Sequence, residues 1–384
     1  MLRFLKMRLM LQVGGWLALP LFLTGAATPP PDVIDTQEHD LRIVEIVKGL
    51  EHPWSLAFLP DGDLLVTERP GRLRLIRGGR LLPEPVAGLP SVAARGQGGL
   101  LDVALHPEFA ENRWIYWSYS GAGTGGIGTE VARGKLIDDR LQEVEVLFVM
   151  QPKSEGGRHF GSRLVFDRQG YLFITLGDRG ERDRAQQPGD HAGSVIRLHD
   201  DGRAPEDNPF VGREGWQPEI YSFGHRNLQG AALHPETGML WTHEHGPQGG
   251  DEVNIIRAGV NYGWPVITYG TNYVTGTQIG EGTHKPGMAQ PIHYWVPSIA
   301  PSGMDFYTGD KFSNWQGDLL VGALKDRMLV RLSLEGEKVV GEERFLKNVL
   351  GRIRAVQQGP DGFVYLLTDE DDGVLVRLEP AGQR

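Results

Sequence analysis

The sequence predicts an all-β fold, a six-bladed β-propeller, from three observations. Glycine is abundant, with 53 of 384 residues, which favours tight turns over long helices. A sequence motif, in which a turn is followed by a strand of alternating apolar residues, recurs along the chain. The copies lie about 45 to 80 residues apart, the spacing of four-stranded blades with insertions. They begin at Leu59, His106, Phe166, His234, Trp315 and Gly359.

The two ends of the repeat predict how the ring closes. A strand-like run at residues 41–47 precedes the first copy and is expected to complete the last blade by pairing near residues 374–378. Residues 41–380 would then form one propeller domain. A β-sandwich or two separate β-domains would also contain short strands, but neither predicts the recurring motif. The largest insertions, at 181–216 and 263–302, are expected to be long loops that form the active-site face.

The N-terminal segment resembles a cleaved export signal. Arg3, Lys6 and Arg8 precede an apolar run at residues 9–23, and small residues follow at positions 25–27. The run is too short for a comfortable membrane span, so we expect no stable membrane anchor, although an uncleaved anchor is the alternative. We predict a signal peptide at 1–27, a linker at 28–40 and a periplasmic or secreted mature protein.

Charge and cysteine content restrict the partners and the chemistry. Removal of the signal peptide leaves 36 Lys and Arg against 49 Asp and Glu, a net charge near −13. This balance disfavours nucleic acid as a partner, so any anion site must gather its own few cations. The absence of cysteine excludes disulfides, thiolate nucleophiles and Cys-ligated metals.

One histidine and one carboxylate flank the third copy of the repeat. His159 lies before its strand and Asp178 after it, and a histidine held by an acid is a general base near neutral pH. Taken alone, His159 is more often a surface or packing residue. The acidic run at 369–373 fails the register of an EF-hand and predicts a turn between strands.

The stretch 223–254 combines the features of an anion site and a metal site. Arg226 beside Asn227 suits a planar anion, because guanidinium donors match carboxylate oxygens. A Gly-Pro pair followed by Asp251 and Glu252 suits a hard cation such as Ca²⁺, which accepts carbonyl and carboxylate oxygens.

Two further patterns leave alternatives open. Lys325, Arg352 and Arg354 could bind a ligand or be solvated strand charges, and the two arginines are expected to share one strand face. His243 and His245 are also two apart on a predicted strand, which raises a zinc alternative, although no third ligand follows at a recognisable spacing.

Several motifs together resemble a known family. These are GQGGLLDVALHP, HFGSRLVFDRQGYLFITLGDRG, RLHDDGRAPEDNPF, SFGHRNLQG, EHGPQGGDEVN, NYGWP and GRIRAV. As a set they resemble the soluble PQQ-dependent aldose sugar dehydrogenases of the glucose/sorbosone dehydrogenase family, relatives of soluble glucose dehydrogenase. The resemblance implies a six-bladed propeller with pyrroloquinoline quinone (PQQ) near its axis, which oxidises the anomeric hydroxyl of an aldose to a lactone.

The resemblance assigns roles to the positions that match family motifs. It makes His159 the base that takes the hydroxyl proton as hydride passes to PQQ, and it makes Asp178 the group that orients this base. It implies that Ca²⁺ polarises the quinone. The residues expected to bind or shape the PQQ site are Gln97, Arg226, Asn227, Tyr273, Lys325, Arg352 and Arg354. The expected calcium ligands are the carbonyls of Gly246 and Pro247, with Glu252 and the Tyr262 carbonyl at a further site.

The family resemblance also bears on the substrate range and on the alternative functions. The insertions are shorter than those of soluble glucose dehydrogenase, so a more open pocket that accepts several aldoses is expected. The alternatives are a non-catalytic propeller binding module and a calcium-dependent propeller lactonase, and the gathered cations favour the anionic cofactor instead. No motif identifies the electron acceptor or decides between a monomer and a homodimer.

Overall fold

The structure is a computed structural model and describes residues 33–382. Within this range the chain forms six four-stranded antiparallel sheets, the blades of a β-propeller, which confirms the predicted fold. The predicted signal peptide at 1–27 and residues 28–32 of the predicted linker lie outside the described residues. The helical segments are short and are α1 (Phe109–Asn112) and the 3₁₀ turns Arg182–Gln186 and Ser313–Trp315. No helix of residues 33–382 is long and apolar enough to span a membrane.

In each blade the first strand lies at a central cavity, and the other three follow outwards in order. The first blade comprises β2 (Pro53–Phe58), β3 (Leu64–Glu68), β4 (Arg72–Arg77) and β5 (Arg80–Leu81). The second comprises β6 (Leu100–Leu105), β7 (Trp114–Gly123), β8 (Gly126–Ile137) and β9 (Arg140–Val149). The third comprises β10 (Leu164–Phe166), β11 (Leu172–Thr175), β12 (Ser194–Leu198) and β13 (Ile220–Phe223).

The remaining blades follow the same plan. The fourth comprises β14 (Leu228–Leu233), β15 (Leu240–Glu244), β16 (Asp251–Ile255) and β17 (His293–Trp295). The fifth comprises β18 (Pro301–Phe306), β19 (Leu319–Ala323), β20 (Met328–Glu335) and β21 (Lys338–Phe345). The last comprises β22 (Ile353–Gln358), β23 (Val364–Thr368), β24 (Gly373–Pro380) and β1 (Leu41–Leu50).

The ring closes by pairing the two ends of the chain. The first strand, β1, is the outermost strand of the last blade and pairs antiparallel with β24, with Leu41 opposite Pro380 and Ile43 opposite Leu378. The predicted pairing of these segments is therefore confirmed. The innermost strands contact their neighbours around the ring, β2 against both β6 and β22, and all six line the central cavity.

The hydrophobic core lies between the blades. Six clusters of buried side chains each draw their residues from two neighbouring blades. The two neighbouring blades cover both faces of a strand in the middle of a blade. The middle strand β3 of the first blade is therefore buried at every position. Since successive side chains of a strand point to opposite faces, each blade depends on both of its neighbours for burial.

Shortening the buried first residue of β1 should destabilise the whole ring. Leu41 is fully buried between the last two blades, whereas the adjacent Arg42 is exposed and pairs with Glu379 at 2.6 Å. We expect Leu41→Ala to cost about 2–5 kcal/mol of unfolding free energy. We expect Arg42→Ala, the matched control, to cost less than about 1 kcal/mol. Urea and thermal unfolding measure both, and equal effects would contradict a closure that stabilises through Leu41.

Candidate active site

His159 and Asp178 form a direct, buried pair. The Nδ1 of His159 lies 2.5 Å from Oδ1 of Asp178. The sequence predicted one strand between them, and this is wrong, because the segment folds into two antiparallel strands, β10 and β11. His159 precedes the first strand of this hairpin and Asp178 follows the second. The two residues therefore meet at the same end of the blade.

The backbone around the pair is tightly packed. His159 has a φ of 51°, in the left-handed region that non-glycine residues seldom adopt. A Cβ added to Gly177 would lie 2.2 Å from the carbonyl oxygen of His159, so only glycine allows this approach. The amide of His159 donates to Oε1 of Gln97 at 2.8 Å. Packing and hydrogen bonding together hold the histidine backbone in this conformation.

Asp178 is bound by donors on both oxygens. Oδ1 also accepts the amide of Gly180 at 2.7 Å, and Oδ2 accepts the indole N–H of Trp264 at 2.8 Å. A carboxylate that only accepts requires His159 to donate from Nδ1, which leaves Nε2 as the basic nitrogen. Trp264 lies in the NYGWP motif, and no role was predicted for it.

The charges of the pair suit a neutral base beside an ionised acid. Burial lowers the pKa of His159, against the opposing effect of its hydrogen bond to Asp178. Burial alone would raise the pKa of Asp178, but the hydrogen bond and charge of His159, with the charge of Arg226, outweigh it and lower the pKa. At neutral pH the pair is therefore an uncharged imidazole held by a carboxylate.

The pair opens into a cleft of about 500 Å³. Pro247 and Trp264 form part of its wall, and Tyr273 is 60% exposed. The segments predicted as long insertions supply some of these residues, although each segment also contains a blade strand, β12 in the first and β17 in the second. The volume is sufficient for a small polar ligand.

A second cavity, of about 350 Å³, is lined by cations. Gln97 and Asn227 also line it, and Gln97 is shared with the His159 cleft. One carboxylate, Asp369, belongs to the lining. Arg69 also lines this cavity and was not predicted from the sequence, unlike the other three basic residues. The basic residues of the lining are Arg69, Lys325, Arg352 and Arg354.

Asp369 holds the buried Arg354 in this cavity. Arg354 donates to Oδ2 of Asp369 at 2.6 Å and to Gln229 at 3.1 Å. Burial disfavours the charged form of Asp369, but the charge of Arg354 outweighs burial and holds its pKa well below the usual range. The predicted turn is confirmed, since Asp369 lies between β23 and β24. Its place in the cavity was not predicted.

Lys325 and Arg352 are held less firmly than Arg354. Lys325 donates to the carbonyl of Ser298 at 2.9 Å, and Arg352 donates to that of Leu324 at 3.3 Å. The side chain of Arg352 is 40% exposed. Both cations line the cavity and remain accessible to a ligand.

A third, small cavity contains two facing carboxylates. Glu244 in β15 pairs in register with Glu252 in β16, and both line a space of about 10 Å³ together with Gly246 and Tyr262. Burial, and next the charge of Glu244, raise the pKa of Glu252 well above its usual value. In the described part of the chain, no hydrogen bond reaches the backbone carbonyls of Gly246 or Tyr262.

The zinc alternative at His243 and His245 gains no support. Between residues 33 and 382, no group of three or more His, Cys, Asp and Glu side chains is arranged to hold a metal. His243 is fully buried, and Nε2 of His245 donates to the carbonyl of Pro301 at 2.6 Å. A cation near this strand would need backbone carbonyl oxygens among its ligands.

Every residue predicted for the site lines one of these three cavities, and residues that were not predicted hold them in place. The fold and the site define a β-propeller protein with a histidine–aspartate pair beside a cavity suited to an anion. The model of the Glucose / Sorbosone dehydrogenase family matches residues 50–377, and the chain belongs to this family.

Individual relatives agree with this assignment. The chain is 48% identical over 344 residues to the aldose sugar dehydrogenase YliI of Escherichia coli (strain K12), covering 88% of this chain and 92% of that protein. It is 28% identical over 420 residues to quinoprotein glucose dehydrogenase B of Acinetobacter calcoaceticus, covering 85% and 86%. The PQQ-bound aldose sugar dehydrogenase of Streptomyces coelicolor matches with a TM-score of 0.73 at 28% identity, covering 91% and 99%.

Replacing the carboxylate should change the titration of the histidine. Asp178 opposes the effect of burial on His159, so in Asp178→Asn the already lowered pKa of His159 should fall further. Histidine side-chain NMR of the cofactor-free protein across pH measures this. Asp200→Asn, next to His106 at 3.5 Å, is the control and should leave His159 unchanged. A rise in the pKa of His159 in Asp178→Asn would refute the pairing.

Proposed function

We propose that this chain is an exported PQQ- and Ca²⁺-dependent aldose dehydrogenase that oxidises the anomeric hydroxyl of sugars to lactones. The observation that carries the proposal is the position of the His159–Asp178 pair beside a cation-lined cavity, with Gln97 lining both spaces. A base next to an anion site suits a sugar hydroxyl beside an anionic cofactor. The PQQ-bound relative supports this reading.

The cation-lined cavity fits PQQ in charge and in unused donors. Four basic residues face one carboxylate there, and PQQ carries three carboxylates. The Nε of Arg354 is buried and has no hydrogen-bond partner within residues 33–382. A buried N–H without a partner is costly, and a ligand oxygen would satisfy it. The residues that would hold or border PQQ are Gln97, Arg226, Asn227, Tyr273, Lys325, Arg352 and Arg354.

The neighbouring backbone fits a calcium ion. The carbonyls of Gly246 and Pro247 accept no hydrogen bond in the described part of the chain, and Ca²⁺ binds such oxygens. Glu252 and the Tyr262 carbonyl would contribute to a further site, where the facing Glu244 adds negative charge. Two carboxylates opposite each other repel, and a cation between them would relieve the repulsion.

The chemistry of the chain then centres on one proton. When bound, PQQ supplies a quinone that accepts the two electrons and the C1 hydrogen of the sugar, and Ca²⁺ polarises it. Nε2 of His159 takes the proton of the anomeric hydroxyl as the C1–O bond becomes the lactone carbonyl. Asp178 holds Nδ1 and stabilises the imidazolium. Trp264 and Gly180 keep that carboxylate in position.

Export and the remaining partners stay predictions of the sequence. The segment 1–27 would direct the chain to the periplasm or outside the cell, where a disulfide-free fold depends on its core. An electron acceptor must reoxidise the cofactor after each turnover. A monomer and a homodimer are both compatible with this chemistry.

Reconstitution tests the proposed function directly. Cofactor-free protein incubated with PQQ and Ca²⁺ should acquire cofactor absorbance and reduce an artificial dye when an aldose is added. Addition of a calcium chelator before PQQ should reduce this activity strongly. Protein without PQQ is the control. Absence of both cofactor absorbance and dye reduction would eliminate the oxidoreductase proposal.

Removing the base should separate binding from turnover. We expect His159→Gln to bind PQQ and to lower kcat by about 10²–10⁴-fold, the usual contribution of a general base. Equilibrium binding of PQQ and dye reduction measure the two effects. The exposed His284→Gln is the control and should turn over like the wild type. Retained turnover in His159→Gln would remove this residue from the base role.

A further inference from the structure

Two arginines in the His159 cleft have no part in the proposed chemistry. Arg158 and Arg182 line this cleft together with Arg226, and the only carboxylate in the lining is Asp178. With His159 neutral, the lining carries an excess of positive charge. The protein as a whole is acidic, with 49 Asp and Glu against 39 Lys and Arg, so this local excess opposes the overall charge.

Arg182 is held in the cleft without an acidic partner. Its guanidinium donates to Oδ1 of Asn272 at 3.3 Å and lies 5.8 Å from the ring centroid of Trp264. The adjacent Glu181 pairs with Arg184 instead, at 3.6 Å. An aromatic face and a neutral amide orient the guanidinium but do not neutralise it. The charge of Arg182 is therefore available to a ligand.

Arg158 is also uncompensated. It precedes His159 directly, is exposed, and its side chain lies over Gly180, next to Asp178. In the chain from 33 to 382, no carboxylate lies within 4.0 Å of the guanidinium of Arg158 or Arg182. Two guanidiniums beside the base that no carboxylate neutralises suit an anionic ligand.

The cofactor does not account for these two residues. The cation-lined cavity has its own basic set for the carboxylates of PQQ, and neither Arg158 nor Arg182 belongs to it. Of the residues proposed to hold or border PQQ, the His159 cleft contributes Gln97, Arg226 and Tyr273. Arg158 and Arg182 lie on this same cleft, which contains the base and where the substrate must place its reacting hydroxyl. A neutral sugar would leave their charge unused.

We propose that the preferred substrates are aldoses with an anionic substituent, a carboxylate or a phosphate, which Arg158 and Arg182 bind while the anomeric hydroxyl faces His159. The inference rests on the proposed sugar oxidation in the same cleft. A carboxylate and a phosphate substituent both present pairs of oxygen atoms, planar in the first and tetrahedral in the second, and a guanidinium binds either.

Steady-state kinetics of the reconstituted enzyme test this preference. Glucuronate is compared with glucose, galacturonate with galactose, and glucose 6-phosphate with glucose. We expect kcat/KM to be about tenfold higher for at least one anionic sugar than for its neutral counterpart, because two exposed charge pairs each contribute modestly. The difference should shrink as salt rises from about 0.05 M to about 0.5 M. The preferred anion distinguishes a carboxylate from a phosphate.

Variants assign the preference to the two arginines. In the double variant Arg158→Gln/Arg182→Gln, the ratio of kcat/KM for the anionic sugar to kcat/KM for its neutral counterpart should fall to within about twofold of unity. Turnover of glucose should be retained. The double Lys variant keeps the charge and should keep part of the preference. Arg257→Gln is the control, since it removes an exposed arginine that lies outside the cleft lining. Calorimetric binding of glucuronate to the cofactor-free protein should weaken in the Gln variant alone.

Three outcomes would overturn the inference, and they are distinguishable. Turnover of neutral sugars without any advantage of anionic ones would reject it and leave the proposed function intact. A Gln variant that loses PQQ affinity but keeps the wild-type sugar ratio would assign the arginines to the cofactor. Absence of turnover with every sugar, despite bound PQQ, would reject the proposed function together with the inference.

Discussion

The pairing of β1 with β24 joins the two ends of the chain, and the cation-lined cavity depends on it. Trp54 and Arg69 come from the first blade, whereas Arg354 and Asp369 come from the last. His52 bridges the same seam, with Nδ1 at 2.8 Å from Asp369. Because blades from opposite ends of the sequence share this cavity, its charges come together only when the ring is complete. Fold and site are therefore formed by the same closure.

The site separates opposite charges in a protein that is acidic overall. Basic residues converge on one cavity, and the only carboxylate there, Asp369, is already engaged by Arg354. Two buried carboxylates, Glu244 and Glu252, face each other in the neighbouring small cavity. The cation-lined cavity is not electrically balanced by its own lining, whereas Arg226 lies beside the two glutamates in the small cavity. The cation-lined cavity is therefore suited to an anionic occupant.

The sequence predicted features that depend on local pattern and failed on those that depend on register. Period-two alternation and turn residues predicted the blades and the pairing of the two ends. The same pattern could not show that the segment before Asp178 is a hairpin, since both strands are short. Asp369 was recognised as a turn residue only. Its contact with Arg354 follows from the pairing of β22 with β23, which places Ile353 opposite Thr368, and a single sequence does not contain that register. Trp264 lies 86 positions from Asp178, so no spacing rule could connect them.

Arg226 links the His159 cleft to the small carboxylate cavity through its backbone as much as through its charge. Oε2 of Glu244 accepts the amide of Arg226 at 2.5 Å, and the carbonyl of Arg226 accepts the amide of Asp178 at 2.8 Å. The guanidinium donates to the carbonyl of His245 at 3.0 Å. A shift of the Glu244 carboxylate would therefore reach Asp178 through two consecutive hydrogen bonds. Since Asp178 sets which nitrogen of His159 is basic, a cation held between Glu244 and Glu252 would steady the base without touching it.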